Sequence, residues 1–103
     1  MNAEALRLIT DVCRRTAAGD FEARLPAIGD SAEAVAARSA LNALLDHTDL
    51  FVREAWATLG AATEGRFHRR FLTHGMHGAF LHAATQIAQS TEEMNRSSWI
   101  MSS

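Results

Sequence analysis

Residues 32–62 contain no proline and a single glycine, Gly60. A stretch this free of helix breakers reads as one long helix. Along it Leu41, Leu45, Thr48, Val52, Ala55 and Leu59 alternate steps of four and three. That spacing is the seam of a coiled coil or helical bundle. Leu44 and Phe51 flank the seam and widen it, while Asp46, His47, Asp49, Arg53 and Glu54 make the opposite face polar. A helix of this length spans roughly 45 Å at about 1.5 Å per residue. That is too long for the interior of a compact monomer of 103 residues, so the stretch points to an elongated assembly.

Each end of this helix meets a short stretch that occurs twice. The first copy is Gly19-Asp20-Phe21-Glu22-Ala23-Arg24-Leu25, followed by Gly29, and the second is Gly65-Arg66-Phe67-His68-Arg69-Arg70-Phe71, followed by Gly75. A shift of 46 positions aligns Gly19 with Gly65, Phe21 with Phe67, Arg24 with Arg70, Leu25 with Phe71 and Gly29 with Gly75. Both copies read as connectors that carry the chain from one helix to the next. In the first, Phe21, Ala23 and Leu25 alternate, so an extended backbone puts them on one face. Pro26 disfavours helix there, and Asp30 or Ser31 supplies the N-cap of the long helix. In the second, Phe67 and Phe71 are four apart and Leu72 and Met76 add apolar mass, a pattern compatible with partial helix.

Residues 3–17 read as a first helix whose stripe is Leu6, Ile9, Cys13 and Thr16, widened by Leu8 and Val12. Arg14 and Arg15 suit the negative pole at its end, and Gly19 suits the left-handed residue that terminates it. Residues 79 to about 101 read as a final helix with Phe80, Ala84, Ile87, Thr91, Met94, Ser98 and Met101 on its seam. Few residues are β-branched, one is proline and none is tyrosine, so the fold class expected is all-α.

A formal net charge of −2 argues against a nucleic-acid footprint, and the dense basic spots are only Arg14-Arg15 and Arg66 with Arg69-Arg70. Cys13 is alone and lies in an apolar pattern, so a reduced, partly buried thiol is expected, which suits the cytoplasm. No stretch approaches the roughly 20 apolar residues of a membrane span, and Met1-Asn2-Ala3-Glu4-Ala5 lacks the features of a signal peptide. Apolar residues continue to the C-terminal edge, as in a segment of a longer receptor.

Candidate chemistry is sparse. His68, His74, His77 and His82 are close in sequence and His47 is remote. They are the residues that a haem- or metal-binding sensory bundle would use, since bundle cores hold cofactors between facing helices. However, His74 and His77 lie in a glycine-rich turn, and no carboxylate lies near His82 between Glu64 and Glu92. Exposed or capping histidine is the simpler reading. Glu92 and Glu93 are adjacent and cannot face each other on a helix, and the chain has no lysine for a phosphate loop. Trp56 and Trp99 read as packing residues. No catalytic, cofactor-binding or metal residue is assigned, and an enzyme is not expected.

Helix, glycine-led connector with spaced apolar anchors, helix: this pattern resembles the HAMP domain of bacterial signalling proteins, here twice in tandem. Gly19-Asp20-Phe21 and Arg24-Leu25 resemble the opening of a HAMP connector, with Leu25 and Ile28 as its anchors. Leu41-Asn42 resembles the apolar-Asn pair of the second HAMP helix. Gly65-Arg66-Phe67, Arg70-Phe71 and Met76 play the corresponding parts in the second unit, and Phe80 and Ile87 head its second helix. The acidic residues that usually open the second helix stand in another order, Asp30-Ser31-Ala32-Glu33, and the first helix lacks the proline often found near its start. The segment Leu41 to Ile87 also resembles the region before the signalling domain of some soluble methyl-accepting chemotaxis receptors. The resemblance implies two units, 3–45 and 46–101, sharing the helix 32–62. It implies a parallel homodimer in which each unit is a four-helix bundle, placed between input and output domains of a longer cytoplasmic receptor. It implies signal relay along that bundle. A structural helical adaptor is the further alternative.

Overall fold

The computed structural model describes residues 2–67 and 69–102, with side chains through Ser97. The expectations for His68 and for the side chains of Ser98, Trp99 and Met101 concern residues outside those described. The described residues form three helices and no strand: α1 (Ala3–Ala17), α2 (Ala32–Thr63) and α3 (Gly78–Ser102). These lie within a residue or so of the spans read from the sequence. No helix among the described residues is long and apolar enough to cross a membrane.

Local chemistry sets the helix ends. The Asn2 side chain accepts from the Ala5 N–H at 2.8 Å and caps α1. Ser31, rather than Asp30, caps α2, its Oγ accepting from the Ala34 N–H at 3.1 Å. At the end of α1, Gly19 N–H donates to the Thr16 carbonyl and Asp20 N–H to the Arg15 carbonyl, both at 2.9 Å. At the end of α2, Gly65 N–H donates to Ala62 at 3.0 Å and Arg66 N–H to Ala61 at 2.8 Å. Both ends are therefore Schellman caps, and the glycine of each takes positive φ, 105° at Gly19 and 81° at Gly65. After the second cap the described residues form no helix until Gly78, so the four-residue spacing of Phe67 and Phe71 does not produce one. Tertiary burial of Phe71 and Met76 fixes that segment instead.

The chain divides into two compact units, Met1–Asp49 and Leu50–Ser103. In the first, Val12, Ala23, Leu25 and Leu45 form the core, with Leu8, Ile9, Ile28 and Leu41 packed against it. In the second, Phe71, Met76 and Ala84 are buried, and Leu50, Phe51, Ala55, Phe80, Ile87 and Ala88 surround them. The Phe51 ring is tilted against Phe71 and Phe80, with centroids 5.9 and 5.7 Å away. Such ring pairs add roughly 0.5–1.5 kcal/mol beyond the area they bury.

Several expected stripe residues lie outside these cores. Cys13 is exposed rather than partly buried, and Leu6 is 54% exposed. The reason is rotational: α1 buries the flank carrying Ala5 and Val12, and Leu6 and Cys13 each follow one residue later, about 100° around the helix. Seam residues Leu59 and Met94, flanking Leu44, and connector residue Leu72 are exposed in the same way. Trp56, read as a packing residue, is 78% exposed in this chain.

Candidate functional site

The part of the structure most unlike a plain helical hairpin is the way each connector is held. An extended segment beside a helix has backbone groups that neither helix nor sheet satisfies, and burial makes each orphaned group expensive. In the first unit Leu25 is buried and its N–H donates to Asn42 Oδ1 at 2.8 Å. Asn42 Nδ2 donates in return to the Leu25 carbonyl at 3.0 Å, and Arg38 Nε donates to the same oxygen at 3.0 Å. Arg38 and Asn42 are four apart and share one face of α2. Beside this clamp, Arg24 Nη1 donates to the Phe21 and Ala23 carbonyls at 2.7 Å, and Arg24 Nε to Asp46 at 2.9 Å. Asp46 is largely exposed, so that ion pair contributes only about 0–1 kcal/mol. Asp20 is held below the usual carboxylate range by the Arg15 guanidinium first and the Glu22 N–H second.

The second unit grips its connector with different chemistry. Glu54 is buried and its carboxylate takes Arg69 through both oxygens at 3.3 and 3.2 Å. Glu54 Oε1 also accepts from the Leu72 N–H at 2.9 Å, and Arg69 Nη1 donates to the buried Thr58 hydroxyl at 2.9 Å. The Arg69 hydrogen bonds lower the Glu54 pKa. Burial opposes that shift without reversing it, and the Leu72 N–H adds to it. Glu54 was expected on the polar outer face of the long helix. It is drawn inside because one carboxylate satisfies both a guanidinium and a connector N–H.

The 46-residue register makes the exchange legible. Glu54, Thr58 and Arg69 stand at the positions of Leu8, Val12 and Ala23, which pack as apolar groups in the first unit. Conversely, Arg38 and Asn42 stand at the positions of Ala84 and Ala88. The first connector is thus gripped by the helix after it and the second by the helix before it. In both cases that helix is α2, while α1 and α3 meet the buried anchors of the connectors through apolar contacts and Arg15 of α1 pairs with Asp20 at the exposed start of the first connector.

Of the residues singled out from sequence, Leu25, Ile28, Phe71 and Met76 sit in or against the cores, and Phe21 and Phe67 are half-buried. His47, His74, His77 and His82 are exposed. Among the described residues, no group of three or more His, Cys, Asp or Glu is gathered to hold a metal ion. Arg14, Arg15, Arg66 and Arg70 are exposed, as are Glu92 and Glu93. The sequence reading paired Leu41 with Asn42 but gave Asn42 no bond, and it missed Arg38, Glu54, Thr58 and Arg69 as grips. The available signal was register: Glu54 and Thr58 are polar where the first unit carries Leu8 and Val12.

No protein-family model matches the chain, and no solved structure matches it. Over 83 residues, 81% of its length, the chain is 36% identical to the methyl-accepting chemotaxis protein Amb0994 of Paramagnetospirillum magneticum. The match covers 19% of that relative, so the chain corresponds to about a fifth of the length of the methyl-accepting chemotaxis protein it matches.

Proposed function

We propose that this chain is a signal-relay segment of a chemotaxis receptor, built from two HAMP-like units, 3–45 and 46–101, that share α2. It works as a parallel homodimer, each unit contributing two helices per chain to a four-helix bundle. It lies in the cytoplasm, between input and output domains, and does no chemistry of its own. The observation that carries this reading is the 36% identity to a methyl-accepting chemotaxis protein over 81% of the chain. The exposed apolar residues support the dimer. Leu6, Val35, Leu44, Leu59, Leu81 and Met94 are all at least 40% exposed in a single chain. Unpartnered apolar surface of this extent on long helices calls for a second copy. Because α2 carries both connectors, a rotation or shift of α2 takes both with it. The helices whose contacts with the buried anchors are apolar, α1 and α3, can then repack, and small seam residues such as Ala55 and Ala84 keep alternative packings close in energy.

The test uses mass and the chain's own cysteine. Light scattering at tens of micromolar should return twice the chain mass. A parallel pairing that brings the Leu6–Cys13 flanks together should let a mild oxidant link Cys13 to its copy, whereas Cys13→Ser stays unlinked. A monomeric mass sinks the dimeric relay.

A further inference from the structure

The second unit has no side-chain amide at the position of Asn42, and an open cleft borders that position. Asn42 has Ala88 at its 46-shifted position, and Ala88 lines a cavity of about 460 Å³ together with Phe67, Arg70, Phe71, Glu92 and Asn95. Phe71 is the counterpart of Leu25, whose N–H and carbonyl both bind the Asn42 amide. Among the described residues nothing hydrogen-bonds the N–H or carbonyl of Phe71, although the residue is buried. Arg70 and Glu92 repeat the positions of Arg24 and Asp46, and among the described residues these two form no ion pair. The volume falls within the roughly 300–1,000 Å³ of small-molecule sites.

The geometry points to a binding site for a small planar molecule bearing an amide edge, an N–H and a C=O side by side. Primary carboxamides and lactam rings share that edge. It docks on the Phe71 backbone as the Asn42 amide docks on Leu25, accepting from the N–H and donating to the carbonyl. The flat body of the molecule lies against the half-buried Phe67 ring, and Arg70, Glu92 and Asn95 line its polar rim. Bound there, the molecule ties the second connector to α3 as well as to α2. The site stands without the relay reading, because occupancy is read by titration and not by signalling.

Nicotinamide, a planar primary carboxamide, tests it. The full chain is titrated into the millimolar range while the backbone amide resonances of Phe71 and Ala88 are followed by NMR. Saturable shifts centred on these residues are expected, with acetamide competing weakly and sodium acetate not at all. Ala88→Asn supplies the amide from the chain and should weaken binding at least about tenfold, the ratio set by one lost hydrogen bond. Ala88→Leu fills the space without an amide and should also abolish binding, which keeps the test decisive if the asparagine variant does not fold. No saturable shift in the unaltered chain overturns the proposal, as would happen if a second copy or an Arg70–Glu92 pair covered the cavity. Equal binding by both variants also overturns it, and acetate binding as well as nicotinamide would replace the amide class with a simple anion.

Discussion

The carboxamide of Asn42 closes on both backbone groups of Leu25, taking its N–H at 2.8 Å and giving to its carbonyl at 3.0 Å. One side chain thereby does for an extended residue what a neighbouring strand does in a sheet. It fixes Leu25, a residue only 1% exposed, against Val12, Ala23 and Leu45. Burial of a leucine side chain contributes about 1.5–3 kcal/mol, and the clamp makes that burial compatible with a non-helical backbone.

Asn42→Ala should destabilise the first unit by roughly 1–3 kcal/mol, the range for a buried polar group left unmade. Arg38 still donates to the Leu25 carbonyl, so the orphaned group is the N–H. Hydrogen exchange should therefore show the Leu25 amide losing protection more than its neighbours. Unchanged protection at Leu25 would contradict the clamp.

The second unit should be the acid-sensitive one. The folded pKa of Glu54 lies below its ordinary value, held down first by the Arg69 hydrogen bonds, so its ionised form is favoured by folding. The stabilisation is fully present above that ordinary value and is lost as pH falls through the lower folded value. Glu54→Gln should cost roughly 1–3 kcal/mol at neutral pH, less than a fully buried pair because Arg69 stays a third exposed. The difference between the variant and the unaltered chain, read by denaturant unfolding at several pH values, should shrink towards acid. A pH-independent gap would show that the grip is not ionic.

The glycines offer an internal control. Gly19→Ala and Gly65→Ala force a side chain into positive φ with open space around it, so the penalty is backbone strain alone, about 1–2 kcal/mol each. Gly60→Ala lies inside α2, also with open space, and should raise stability by roughly 0.5–1 kcal/mol. Thermal melts of the three variants should separate in sign.

Two leucines on α2 should divide folding from association. Leu45 is buried within its own chain, so Leu45→Asp should unfold the first unit and lower helicity. Leu59 is 40% exposed, so Leu59→Asp should leave a monomer's helicity intact and lower the dimer mass seen by light scattering. A full dimer with Leu59→Asp would remove Leu59 from the partner-facing surface.

The sequence by itself determined the three helices and their ends. Those ends rest on local chemistry: glycine at the left-handed cap position, Asp30 or Ser31 available as N-cap, proline in the connector, and apolar residues at helical spacing. It also marked the apolar residues of the connectors, of which Leu25, Ile28, Phe71 and Met76 reach the cores, Phe21 and Phe67 are half-buried and Leu72 is exposed. Tertiary structure alone decided which polar side chains hold those connectors. Asn42 meets Leu25 across 17 residues and Glu54 meets Leu72 across 18, and both bonds exist only after the connector docks. Docking also decided which flank of each apolar stripe is covered, leaving Leu6 and Cys13 outside. Helical periodicity defines a stripe about a third of the helix wide, and only a packed neighbour selects the part of it that is buried.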